Sequence, residues 1–159
     1  MNSADKLREF HKKHNFPVDL PLAVCFDEES PDQIHATEVL RRTSEILLSC
    51  SKYIELCLAN NKDVRLVRAQ LGVEEMGEAV QALAECDELL LIDALADVKY
   101  INEGTAVTFG LPLQEAFDIV HDSNMSKAAR DPNDPRLRDK GDSYVPAEEG
   151  LKKLLEDSR

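Results

Sequence analysis

The chain has 159 residues, 43 % hydrophobic and 31 % charged, with 5 % aromatic residues, no Trp and six Gly. Its 31 Asp plus Glu against 19 Lys plus Arg leave a net charge of -12, which argues against non-specific binding to nucleic acid or to an anionic membrane. The length suits one domain over residues 1–159, and the Leu-, Ala- and Val-rich, Gly-poor content favours packed helices over a strand-rich fold.

Residues 3–14 form a first short helix, capped by Ser3 or Asp5, carrying Leu7 and Phe10 inward and stopping before Pro17. Pro17, Pro21 and Pro31 make residues 15–31 an extended arm. From Asp32 to about residue 60, Ile34, Val39, Leu40, Ile46, Leu47, Cys50, Ile54, Cys57 and Leu58 fall on one face of a long amphipathic helix, which Asn60 and Asn61 end. A third helix covers residues 63–84 and a fourth 87–109. Gly110 and Pro112 supply a stop and restart before a fifth over 112–125. Turn signals at Asp131-Pro132, Asp134-Pro135 and Lys140-Gly141 make residues 130–146 an irregular tail, and a last helix runs over 147–157. No strand pattern competes, and the expected architecture is an all-α bundle of four to six helices.

Cys25, Cys50, Cys57 and Cys86 are scattered, with no Cys-x-x-Cys pair, and read as reduced, partly buried thiols. The N-terminus has no apolar signal region and the longest apolar run holds two Asp, so neither a secretion signal nor a membrane span is expected. The cytoplasm follows by default. On the third helix, Val67, Leu71, Glu74, Glu75, Glu78 and Ala82 form one stripe and Ala69, Val73, Met76, Val80 and Leu83 the opposite one. A helix with two sides to cover is central to a bundle or lies across a subunit interface, so a homodimer or homotetramer is expected.

Five carboxylates carry the chemistry. Glu74, Glu75 and Glu78 share a face of the third helix, and Asp93 and Asp97 stand one turn apart in the otherwise apolar run 89–98 of the fourth. A Glu-x-x-Glu pair alone is commonly a solvated helix face. Two Asp at i, i+4 repel, and in a buried stripe each would lose hydration unless a cation compensates. Antiparallel helices joined by the short turn at Cys86 and Asp87 would bring the two acidic faces together. Di-iron bundles use Glu-x-x-His pairs, and none of His11, His14, His35 or His121 stands three after a Glu. An all-oxygen set favours Mg²⁺ or Mn²⁺, ions that commonly bind nucleotide phosphates.

At these residues the sequence resembles the MazG-like all-α nucleoside triphosphate pyrophosphohydrolase superfamily, whose signature is a Glu-x-x-Glu helix followed by an acidic helix ending in Asp. Here these are Glu75-Met76-Gly77-Glu78, preceded by Glu74, and Asp93-Ala94-Leu95-Ala96-Asp97. The likeness continues through residues 100–127, including GTAVTFGLPLQEAFDIVHDSNMSK, and KGDSYVPA at 140–147, and takes in Phe10, His11, Pro17 and Pro21. Many members place the first acid of the second motif three residues before the final Asp. In this chain Asp93 stands four before it, and Lys99 follows where an apolar residue is usual.

The resemblance implies hydrolysis of a nucleoside triphosphate between its α and β phosphorus atoms, giving a monophosphate and pyrophosphate. It implies Mg²⁺, with Mn²⁺ as a substitute, held by Glu74, Glu75, Glu78, Asp93 and Asp97. Glu74 or Glu75 would take the proton of the attacking water, and Asn124, Lys127, Lys140 and Tyr144 would bind substrate. His121 reads as a hydrogen-bonded residue on a helix face and Arg68 as a salt-bridge partner. Two alternatives are phosphoribosyl-ATP pyrophosphohydrolysis and a non-catalytic nucleotide- or metal-binding regulator.

Overall fold

Leu40, Ser44, Leu47, Ser51, Ile54 and Leu58 recur at intervals of three and four and turn one edge of a long helix inward. The two serines are buried and the four apolar residues half-buried. The computed structural model describes residues 1–25, 30–129 and 140–158, with the backbone alone at 24 and 25. Over these residues the chain is all helical, as expected: α1 Ser3–Lys13, α2 Pro31–Leu58, α3 Val64–Glu85, α4 Glu88–Phe109, α5 Leu113–Met125 and α6 Glu148–Asp157, with a 3-10 turn at Leu22–Cys25 inside the expected arm. None of these helices is long and apolar enough to cross a membrane. Two compact units are formed, one of Met1–Leu20 with Phe109–Arg159 and one of Pro21–Thr108.

In the second unit α2 and α3 pack against each other along their lengths. Small residues permit the close approach. The Ser44 hydroxyl donates to the Gly77 carbonyl at 2.9 Å, Gln70 Nε2 donates to Ser51 Oγ at 3.2 Å, and a Cβ at Gly77 would lie 2.9 Å from Leu48 Cδ2. Pro31 opens α2 at its first turn, where a missing N–H costs nothing. The Asp63 side chain caps α3 by accepting from Arg65 N at 2.9 Å. Its ion pair with Arg65 holds this carboxyl at about 2. Cys86 closes α3 in the left-handed region (φ 51), and Asp87 Oδ1 accepts from Leu89 N and Leu90 N to start α4.

Burial corrects several sequence expectations. On α2, Ile34, Val39, Ile46, Cys50 and Cys57 are exposed, because the covered edge is centred on Ser44 and Ser51. Cys50 and Cys57 are therefore exposed free thiols and Cys86 a half-exposed one. On α3 neither expected stripe is wholly covered. The buried positions are Gly77, Ala79, Ala82 and Ala84, whereas Val67, Ala69, Met76 and Leu83 are exposed. The smallest side chains let the helices approach, and larger ones are displaced to the flanks.

In the first unit α1 meets α5 through the Lys6–Asp118 ion pair (2.9 Å) and a Lys13 Nζ donation to the Met125 carbonyl. Asn2, rather than Ser3 or Asp5, caps α1 by accepting from Asp5 N. Leu7 is exposed while His14 is fully buried, its ring 4.4 Å from that of Phe10. The segment after residue 140 is stitched to the end of α5. Val145 N donates to Ser126 Oγ at 2.8 Å, and Ser143 Oγ donates to the Ser126 carbonyl at 3.1 Å. Gly150 of α6 sits where a Cβ would be 2.9 Å from Ile119 Cγ2. Expected turns at residues 131–135 lie outside the described residues.

Candidate active site

The five carboxylates all belong to the second unit, on α3 and α4. Glu74 and Glu75 are half-buried and Glu78 is exposed. Asp93 and Asp97 are exposed, not buried as the apolar run around them implied. The reason lies in how α4 is turned. Ala94 and Ala106 are buried and Leu91, Val98, Ile101 and Thr105 half-buried, so the covered edge runs beside the acids and not through them. Leu89, Ile92, Tyr100 and Val107 face outward at 76 %, 63 %, 77 % and 82 % exposure.

The acids are near enough to act on one another. The Glu75 carboxyl is raised above its ordinary value, first by burial and then by the charges of Glu78, Asp97, Glu74 and Asp93 in that order. Glu74 accepts from Gln70 Nε2 at 2.7 Å. Glu75, Glu78, Asp93 and Asp97 have neither a hydrogen-bond nor an ion-pair partner among the described residues. Arg68, expected in a salt bridge, makes none there. Its guanidinium donates to the Ile101 carbonyl at 2.6 Å and to Thr105 Oγ1 at 3.0 Å, because an α4 carbonyl and hydroxyl lie within reach of its fork. Lys99 pairs with Glu103 on its own helix at 2.6 Å.

This donor set fits a hard divalent cation in its chemistry: oxygen ligands throughout, uncompensated negative charge, and one carboxylate whose ionised form is disfavoured. As placed, the side chains do not close a coordination shell, and no three His, Cys, Asp or Glu among the described residues converge on one point. The acidic faces lie within electrostatic reach of one another.

In the first unit the structure gathers Asn124, Lys127, Lys140 and Tyr144. Lys127 Nζ donates to Asn124 Oδ1 at 2.7 Å, and the ammonium groups of Lys127 and Lys140 lie 6.0 and 4.9 Å from the Tyr144 ring centroid. Two cations, an amide and a phenol at the stitched end of α5 make a local anion-attracting cluster despite the net charge of -12. His14 belongs to the same end. Burial, then Lys13 and Lys127, holds this imidazole below its ordinary range, with the Asn124 backbone pulling the other way. Neither ring nitrogen makes a hydrogen bond of normal geometry to a described residue. His14 went unrecognised in the sequence, although its place four after Phe10 on α1 put both rings on one face. His121 is buried and stacks on Phe117 with centroids 6.4 Å apart.

Residues 56–124, from the end of α2 to the last turn of α5, match the phosphoribosyl-ATP pyrophosphohydrolase family. That family is one of MazG-like all-α pyrophosphohydrolases, and the matched stretch is similar to it. The matched stretch contains all five carboxylates, Arg68 and Asn124. Lys127, Lys140 and Tyr144 lie beyond the matched stretch. Neither a curated protein nor a solved structure gives a match.

Proposed function

We propose that the protein hydrolyses a nucleoside triphosphate to the monophosphate and pyrophosphate in a Mg²⁺-dependent reaction. The observation that carries this reading is the uncompensated carboxylate set on α3 and α4 inside a pyrophosphohydrolase-type segment. Glu75, Glu78 and Asp97 would hold the cation, with Asp93 and Glu74 beside them. A divalent cation held by these residues would supply charge neutralisation to the phosphates and would lower the pKa of a water. Whichever of Glu74 and Glu75 is not fully engaged by the cation would take the proton of the attacking water. Lys127 and Lys140 would neutralise phosphate oxygens, while Asn124 and Tyr144 supply hydrogen bonds. Pyrophosphate release from a panel of ribo- and deoxyribonucleoside triphosphates tests the reading, and a panel that stays intact with Mg²⁺ overturns it.

Phosphoribosyl-ATP is the second candidate substrate, favoured by the matched family itself. It belongs in the same panel, and turnover of that compound alone would decide for it.

The protein is also proposed to act as a homodimer or homotetramer. Leu89, Ile92, Tyr100 and Val107 project from one side of α4 without cover, an arrangement suited to a second copy of the chain. Sedimentation tests this, and a stable monomer at micromolar concentration counts against it.

A further inference from the structure

Arg68 makes every side-chain hydrogen bond that joins α3 to α4 among the described residues, to the Ile101 carbonyl and Thr105 Oγ1. Gly104 makes room for it, since a Cβ at that position would lie 2.8 Å from Arg68 Nη2. A glycine inside a helix costs stability relative to alanine, so its place under a guanidinium calls for a reason. That reason is register. Seven residues on from Arg68 along α3 stands Glu75, and seven residues back from Gly104 along α4 stands Asp97. Seven residues are about two turns, and they return each helix to nearly the same face. In this antiparallel pair, the alignment that sets Arg68 opposite Gly104 therefore also sets Glu75 opposite Asp97. A slip of one turn would bring Ile101 or Asp93 to that place instead.

We propose that Arg68 and Gly104 form a register lock between α3 and α4, in which the Arg68 fork, seated over Gly104, positions Glu75 and Asp97 across from each other. Arg68 is thus a positioning residue. The inference rests on the reading that these acids hold a divalent cation, and its functional consequence is that cation affinity depends on a contact about 10 Å away along the helices.

The test is a double-mutant cycle of Arg68→Ala, Gly104→Ala and the pair, read by Mn²⁺ titration followed by electron paramagnetic resonance without nucleotide, and by thermal melting. Each single change should weaken Mn²⁺ binding by about tenfold, as loss of an outer-shell support does, while helix content is retained. Gly104→Ala should cost nothing further in the Arg68→Ala background. There it should raise the melting temperature, because alanine is the better helix former once the guanidinium is gone. Should Arg68→Ala fail to fold, Gly104→Ala alone still displaces the fork with its charge intact. Arg68→Lys, with one ammonium nitrogen in place of the planar fork, should recover only part of the affinity. Mn²⁺ affinity that is unchanged in both single variants, or a Gly104→Ala effect on melting that is equal in the two backgrounds, overturns the lock. A wild-type protein that takes up no Mn²⁺ overturns the cation reading instead, and the melting cycle then decides the lock by itself.

Discussion

The Ser44 hydroxyl donates to the Gly77 carbonyl at 2.9 Å, and both residues are buried where α2 and α3 come closest. This contact accounts for one of the two serines on the covered edge of α2, and the Gln70 donation to Ser51 Oγ accounts for the other. A bulkier residue at either place would separate the helix that carries Glu74, Glu75 and Glu78 from its support. Gly77→Val should destabilise the protein by about 2 kcal/mol through overpacking against Leu48, and Ser44→Ala by about 1 kcal/mol. Denaturant melts measure both, and a neutral Gly77→Val would show that α2 and α3 are not held this closely.

Glu75 supplies a pH signature in the metal-free protein. Its carboxyl is raised by burial and by four neighbouring acids, so the fold prefers the protonated form. Ionised Glu75 begins to subtract stability as pH rises past its unfolded value, ordinarily 4.5, and the loss is complete above its folded value. Glu75→Gln should therefore be more stable than wild type at pH 7, by about 0.5 kcal/mol for each like-charge contact relieved. The difference should vanish as pH falls below that window. A variant less stable than wild type at pH 7 would contradict the electrostatic description of the cluster.

The outward side of α4 should carry self-association. Ile92→Asp and Val107→Asp place a charge where the side chain is mostly exposed in the single chain, so helix content should survive. Burial of that charge in an interface should cost about 2 kcal/mol, which weakens association about thirtyfold. Sedimentation equilibrium would register the shift, and unchanged association of both variants would remove this face from the interface.

Lys127 and Tyr144 should act on substrate affinity. Lys127→Ala removes a cation held by Asn124 and should raise KM by roughly tenfold or more, the worth of a charge-assisted hydrogen bond. Tyr144→Phe keeps the ring near both lysines and should cost less. A Lys127→Ala enzyme with unaltered KM would show that the cluster at the end of α5 is not a phosphate site.

Much of this arrangement was legible in the residues. Long 3.6-residue periods, proline and glycine punctuation and the Asn60-Asn61 stop located the helices to within a residue or two, because these signals are local. The five acids were legible as a set, since their spacing alone puts each group on one face. Which face the chain covers was not. Apolar content marked Ile34, Val39 and Ile46 for burial, but the buried positions are Ser44, Ser51, Gly77 and Ala84, whose small size matters only once a neighbour is known. The same holds for Asp93 and Asp97, which border the buried edge defined by Ala94. Arg68 read as an ion-pairing residue because its partners are a backbone carbonyl and a hydroxyl on another helix, features invisible to charge pattern. Gly104 in mid-helix was the available clue.

The central claim is that Glu78 and Asp97, from two helices, serve one Mg²⁺-dependent phosphoanhydride cleavage. It is tested most directly by pyrophosphate release from a nucleotide panel including dUTP, dCTP and phosphoribosyl-ATP, with wild type, Glu78→Gln and Asp97→Asn compared at saturating Mg²⁺. Wild type should release pyrophosphate from at least one compound only when Mg²⁺ is present, and each variant should lose at least about 99 % of that rate while remaining folded, consistent with removal of several kcal/mol of charge stabilisation. Turnover that persists in both variants, or no turnover of any compound by wild type, would contradict it.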